Sequence, residues 1–234
     1  MVRGVDVVYL FVLAVVVFLA GCVDVNQPAV HTKNYVSPAR FINLAVNSSL
    51  TVTVDGNSAA TGVAYGSTSA YLDLPSGSRL FRFSYGSVVD SLRQSLTSQY
   101  KYSIFVVYDP STSVISGSYV FMMERSTFES PYPSDSSLLR FVQLSPDTLT
   151  TIKGGVNVTF SFGSKDTIFK KITFQGSTPY VKVPTSGVRF TIVGSKGDTL
   201  KSVGGDAGLS GLGRYSFVMY GPASGLQKKL FKED

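Results

Sequence analysis

The sequence predicts an all-β protein built from two tandem β-sandwiches, and three observations carry that prediction. Val, Thr, Ser, Tyr and Phe recur in short alternating runs punctuated by Gly, Pro, Asn and Asp, with no helix-period segment of useful length. An internal repeat divides the chain into two copies. Each copy carries about eight strand candidates at the spacing of roughly 8 to 12 residues typical of a sandwich.

The repeat is visible as three blocks in one order. Ala39-Arg40-Phe41-Ile42-Asn43-Leu44 returns one hundred positions later as Leu139-Arg140-Phe141-Val142-Gln143-Leu144. Tyr65-Gly66 through Leu74-Pro75 returns ungapped as Phe174-Gln175 through Val183-Pro184, and Tyr102-Ser103-Ile104-Phe105-Val106 returns as Tyr215-Ser216-Phe217-Val218-Met219. In the first copy, strands are expected near 39–45, 50–55, 59–65, 69–74, 79–85, 87–93, 100–108 and 116–123. Asp55-Gly56 and Pro75-Ser76-Gly77 mark turns, because Gly accepts positive φ and Pro presets a bend. Residues 100–108 are apolar on both faces beyond Ser103, which suits a central strand. Residues 226–234 look like a charged helical tail, but the repeat aligns them with 116–123. Gln227-Lys228-Lys229-Leu230-Phe231-Lys232 therefore reads as a final edge strand protected by lysines.

The amino-terminal segment gives an address. Residues 7–22, VVYLFVLAVVVFLAGC, form an apolar run shorter than the roughly twenty residues that span a hydrocarbon core, so a cleaved leader fits better than a membrane helix. The run ends in Leu19-Ala20-Gly21-Cys22 and contains the chain's one cysteine, a pattern that resembles the lipobox of bacterial lipoproteins. That resemblance implies peptidase recognition of Leu19, Ala20 and Gly21, a diacylglycerol thioether on Cys22, cleavage after Gly21, and acylation, typically by palmitate, of the new amino group. Two acyl chains suffice for stable anchoring. Val23 stands where an Asp would signal inner-membrane retention in enteric-type bacteria, so outer-membrane localisation in the cell envelope is expected, on either its periplasmic or its surface face.

The expected organisation is a signal peptide over 1–21, a lipidated tether over 22–37, β-sandwich domain 1 over 38–125, a stiff Pro- and Ser-containing linker over 126–137, and β-sandwich domain 2 over 138–234. The formal charge is +6, and it survives removal of the leader because that segment holds one Arg and one Asp. With no second cysteine, each domain relies on its core.

The first copy, from Ala39-Arg40-Phe41-Ile42-Asn43-Leu44 through Val54-Asp55-Gly56, Val63-Ala64-Tyr65-Gly66 and Tyr71-Leu72-Asp73-Leu74-Pro75-Ser76-Gly77, resembles a family of Ig-like or prealbumin-like sandwich domains of unknown function. These often occur in tandem in bacterial lipoproteins and secreted proteins. The second copy departs from the pattern at Phe162-Gly163-Ser164 and at Gln175, where the first has Gly66. The resemblance implies two tandem Ig-like β-sandwich domains after a lipoprotein signal peptide, and it implies no catalytic residues.

Little in the sequence points to catalysis. His31, the one histidine, lies in the tether, where a rigid Ser-His-Asp or Cys-His geometry is hard to hold, and Cys22 is assigned to lipid. Zinc lacks ligands for the same reason, and Asp55-Gly56-Asn57 lacks the alternating acids of a calcium loop. No metal and no cofactor is expected. Residues 204–213, GGDAGLSGLG, lack the Gly-Lys-Ser/Thr ending of a phosphate loop and read as a strand connection, with ligand binding by this insertion as the sharper alternative. The basic residues are scattered without an RNA-binding signature, so nucleic acid is not an expected partner. Asp90-Ser91-Leu92, Asp147-Thr148-Leu149, Asp166-Thr167-Ile168 and Asp198-Thr199-Leu200 resemble an envelope O-glycosylation motif. Ser91, Thr148, Thr167 and Thr199 are the candidate acceptors, although Asp-Ser/Thr entering a strand accounts for each without a glycan.

The function expected is therefore that of a noncatalytic, lipid-anchored envelope protein acting as a binding, adhesion or scaffolding module. Its partners would be the membrane, through the lipid, and an envelope protein or a glycan. A carbohydrate-binding accessory lipoprotein is the alternative and calls for exposed Tyr or Phe in a row, Tyr35 and Tyr132 being the rings least explained by burial. An atypical hydrolase calls for convergent polar residues in a cleft between the domains.

Overall fold

A computed structural model describes residues 35–98, 100–108, 118–125, 135–145, 154–194, 199–203, 209, 213–221 and 226–233. Tyr35–Asp234 form one compact unit. The protein is all-β. The first copy supplies β1 (Val36–Ala45), β2 (Leu50–Val54), β3 (Asn57–Val63), β4 (Leu72–Pro75), β5 (Gly77–Tyr85), β6 (Val88–Leu96), β7 (Tyr100–Tyr108) and β8 (Ser118–Arg125). The second supplies β9 (Ser136–Gln143), β10 (Val156–Phe162), β11 (Lys165–Ile172), β12 (Val181–Pro184), β13 (Arg189–Gly194), β14 (Thr199–Val203), β15 (Arg214–Tyr220) and β16 (Gln227–Lys232).

These strands form four sheets of four, ordered β3-β2-β5-β6, β4-β1-β7-β8, β12-β9-β15-β16 and β11-β10-β13-β14. The first and seventh strands of each copy run parallel, β1 beside β7 and β9 beside β15, and the other named pairs are antiparallel. The β2–β3 hairpin closes on Asp55 and Gly56, both at positive φ (50° and 84°), the geometry a two-residue turn needs to match strand twist. In the second copy Gly163 takes φ 58° at the corresponding turn, and Gln175 takes φ 64° where Gly66 takes 72°.

Alternation along the strands sorts the side chains into three cores. Phe41, Leu50, Val52, Phe81, Phe83, Tyr102 and Ile104 fill the space between the first two sheets. Phe141, Val158, Phe160, Phe190, Tyr215 and Phe217 do the same for the second pair. The third core is assembled from the opposite faces of β1, β7 and β8 and of β9, β15 and β16: Ile42, Leu44, Phe105, Val107 and Met122 meet Val142, Leu144, Val218, Tyr220 and Phe231. The sheets containing β1 and β9 are therefore inner sheets, each covered on both faces, and this explains why residues 100–108 are apolar on both faces. Phe105 and Phe231 meet edge to face at 5.7 Å. Burying each such ring contributes about 1.5–3 kcal/mol.

The first strand of each copy begins earlier than the sequence suggests. β1 takes in Val36 and Ser37 from the tether range, because β4 pairs with them and Ser37 Oγ is held by the Ser76 hydroxyl at 2.8 Å and by donation to the Thr97 carbonyl at 3.0 Å. β9 likewise takes in Ser136 and Ser137 from the linker range through pairing with β12.

Candidate functional site

The parallel register of β1 with β7 sets Arg40 beside Ser103, and that of β9 with β15 sets Arg140 beside Ser216. All four point away from the sandwich cores into the junction between the inner sheets, and all are buried. Glu233, two residues beyond Phe231, is drawn to the same place as its N–H donates to the Arg214 carbonyl at 2.8 Å. A buried charge must find partners, and here each does. Arg40 Nη2 donates to Glu233 Oε2 at 2.9 Å, and Arg140 Nη2 lies 3.5 Å from Oε1. Arg40 Nε donates to Ser103 Oγ at 3.0 Å, and Ser103 Oγ donates to Glu233 Oε2 at 2.7 Å. Arg140 Nε donates to Ser216 Oγ at 2.8 Å.

Two tyrosines back this cluster in matching positions. The Tyr71 ring lies 4.9 Å from the Arg40 guanidinium and 5.5 Å from Lys101 Nζ, and its hydroxyl donates to the Glu233 carbonyl at 3.0 Å. The Tyr180 ring lies 4.7 Å from Arg140 and 5.6 Å from Arg214. Planar guanidinium suits both contacts, stacking on a ring while reaching a carboxylate with its fork. Further along the junction Tyr65 meets Tyr220 edge to face at 5.8 Å, and Lys229 Nζ donates to the Gly66 carbonyl. Ser103 both accepts and donates within the cluster, and the carboxylate is shared by two cations, so these contacts join the two sandwiches.

Of the candidate acceptors, Ser91, Thr167 and Thr199 lie on different strands and are not brought together. Ser91 is exposed on β6, its N–H donating to Asp90 Oδ1 at 2.7 Å, while Asp90 Oδ2 accepts from the Tyr119 hydroxyl at 2.9 Å. Thr167 is half-buried on β11 and Thr199 opens β14, at opposite edges of one sheet. Thr148 lies outside the described residues, as do Leu19, Ala20, Gly21, Cys22, His31 and Tyr132. Of the Gly-rich segment, Leu209 is buried in the second core and the Gly213 carbonyl accepts from Leu138 N–H at 3.0 Å. Asp55 closes its hairpin and binds Arg79 at 2.9 Å; the Leu80 N–H and then Arg79 hold its carboxyl below the usual range. Tyr35 is 59 % exposed, and among the described residues no row of exposed rings is present.

The junction cluster is what sequence reasoning missed. Its signal was Arg40 and Arg140 in matched strands, each amid residues apolar on both faces, where a charge requires a buried partner. Nothing local identifies that partner as Glu233, 193 positions from Arg40.

Residues 37–151 match the family model described as a domain of unknown function, DUF4397. No curated protein matches the chain. Among solved structures, the chain is similar to one from Bacteroides uniformis provisionally described as a cell adhesion protein. The two share 11 % identity over 86 % of this chain and 98 % of the other, with a TM-score of 0.27. It is also similar to the Bacillus anthracis TIE protein, with 10 % identity over 83 % of this chain and 34 % of the other, and a TM-score of 0.25. At these values neither neighbour's role extends to this chain.

Proposed function

We propose that the chain is a noncatalytic, lipid-anchored cell-envelope protein that displays two tandem sandwiches as a binding, adhesion or scaffolding module. The observation that supports it best is the junction. Arg40, Arg140, Glu233, Ser103 and Ser216 are spent on one another, and with the apolar middle core they join the two copies through their inner sheets. This leaves the outer faces of the β2 and β10 sheets as the surfaces on offer. Anchoring rests on Cys22, modified by diacylglycerol and then acylated with palmitate after cleavage at Gly21, with outer-membrane localisation as the reading of Val23.

Metabolic labelling with a palmitate analogue tests the anchor. Label and membrane sedimentation are expected for the wild type and both are lost in Cys22→Ala; an unlabelled wild-type protein overturns the anchor. Photo-crosslinking from the outer sheets in intact cells tests display, with a discrete envelope partner or glycan as the expected product. The absence of any crosslinked product overturns it. Intact mass equal to polypeptide plus lipid removes the acceptor reading of Ser91, Thr148, Thr167 and Thr199.

A further inference from the structure

The outer face of the β3-β2-β5-β6 sheet carries an arrangement that the described residues of the second copy do not repeat. Strand register lays its outward residues in rows. Thr53, Arg82 and Ser91 form one row across β2, β5 and β6, and Thr51, Ser84 and Val89 form the next. On the other side lie Leu80 beside Arg93, and then Ser78 beside Ser95. Arg82 and Arg93 are exposed and stand as diagonal neighbours on adjacent strands, about 7 Å apart at the backbone. Two like charges so placed repel. Among the described residues no carboxylate on this face pairs with either: Asp90 faces the other way to Tyr119, and Asp55, at the edge, is bound by Arg79 and feels Arg93 more weakly. In the second copy the comparable sheet places Asp166, Ser161 and Arg189 in one row, with acid and base both present.

The geometry points to the outer face of the β3-β2-β5-β6 sheet as a binding surface for an acidic polysaccharide, with Arg82 and Arg93 taking its anionic groups and the surrounding hydroxyls its sugar hydroxyls. Guanidinium is the side chain best matched to a carboxylate or sulfate, through paired N–H donors. Ser and Thr are short, so their hydroxyls lie close to the sheet and contact a chain laid flat across it, with rows set by the strand spacing of about 4.8 Å. Leu80 and Val89, 39 % and 55 % exposed, give the apolar faces of sugar rings a place to rest. A lipid surface fits less well, since two arginines attract it weakly and the face presents no aromatic ring to insert. This inference rests on the display reading above and names its partner class.

The test uses the mature chain without its lipidated cysteine, residues 23–234, which retains the compact unit Tyr35–Asp234. Binding is measured to polygalacturonate, dextran sulfate, neutral dextran and phosphatidylglycerol vesicles. The expected result is retention on the two acidic polymers alone, weakening with salt. Arg82→Gln/Arg93→Gln should lose about tenfold or more in affinity, and Arg189→Gln should stay within about twofold. Thermal melts establish that each variant folds. Equal binding by the double variant, or binding to vesicles without binding to acidic polymers, overturns the inference. Whole-cell binding by the wild type that survives the double substitution overturns this face while leaving the display reading intact; failure of the wild type to bind cells removes both.

Discussion

Arg40 in the first sandwich donates to the Glu233 carboxylate contributed by the second, at 2.9 Å, with both side chains buried. Because Arg140 approaches the other oxygen, one carboxylate serves two guanidiniums. Truncating it leaves two cations in a buried junction, and breaking such a cluster from one side costs about 3–5 kcal/mol. Glu233→Ala should show that loss in urea denaturation. Replacing all three charges with apolar residues of similar size, as in Arg40→Met/Arg140→Met/Glu233→Leu, should cost far less, because it leaves no unpaired charge behind. Equal losses for the two variants would assign the stabilisation to packing alone.

Asp55 gives a pH signature at the β2–β3 turn. Its carboxyl is held below the ordinary value of 3.8, first by the Leu80 N–H and then by Arg79. A depressed acid contributes stability that is fully present above 3.8 and is lost as pH falls through its lower folded value. Asp55→Asn should therefore lower Tm at pH 7, with the gap to wild type closing as the solution is acidified below 3.8. A gap that persists in acid would point to turn geometry rather than charge.

Tyr119 gives the opposite signature at high pH. Burial, then hydrogen bonds with Tyr85 and Asp90, push its ionisation above the ordinary 10.0. A raised phenol contributes stability present below pH 10 and lost as pH rises beyond it. Tyr119→Phe should cost about 1–2 kcal/mol at neutral pH by removing one hydrogen bond each from Asp90 and Tyr85, and its alkaline decline should be shallower than that of the wild type. Equilibrium unfolding across pH 7 to 11 measures both.

Gln175 and Gly66 test backbone strain at equivalent turns. Both sit in the left-handed region, where a side chain costs about 1–2 kcal/mol. Gln175→Gly should stabilise by up to about 1 kcal/mol once the greater freedom of unfolded glycine is offset. Gly66→Ala should destabilise, since its Cβ would also lie 3.3 Å from the Tyr220 hydroxyl. Paired thermal melts give the sign of each.

Much of the fold was legible because its signals are local. Alternation located the eight strands of the first copy, β7 to the residue, and Asp55-Gly56 fixed its hairpin. The repeat resolved the charged tail into β16, against its helical appearance. What stayed hidden depends on contacts far apart in sequence. Phe105 reads as part of a central strand apolar on both faces, with no sign that the other copy covers it together with Ile42 and Leu44. Arg40 and Arg140 were aligned, but their shared partner follows the last strand. The outer-sheet arginines were equally opaque, because Arg82 and Arg93 become neighbours only through the β5–β6 register.

Glu233 follows all sixteen strands along the chain, so it leaves the ribosome after every one of them. Until Val142, Leu144, Val218, Tyr220 and Phe231 of the second copy have emerged and folded, the first sandwich carries Ile42, Leu44, Phe105 and Val107 on an open apolar face. That face fits the second sandwich of a neighbouring chain as well as its own, and nascent copies crowded together have a window for exchange. Docking of the second sandwich is thus a timing event: it ends the interval in which the halves of different molecules compete.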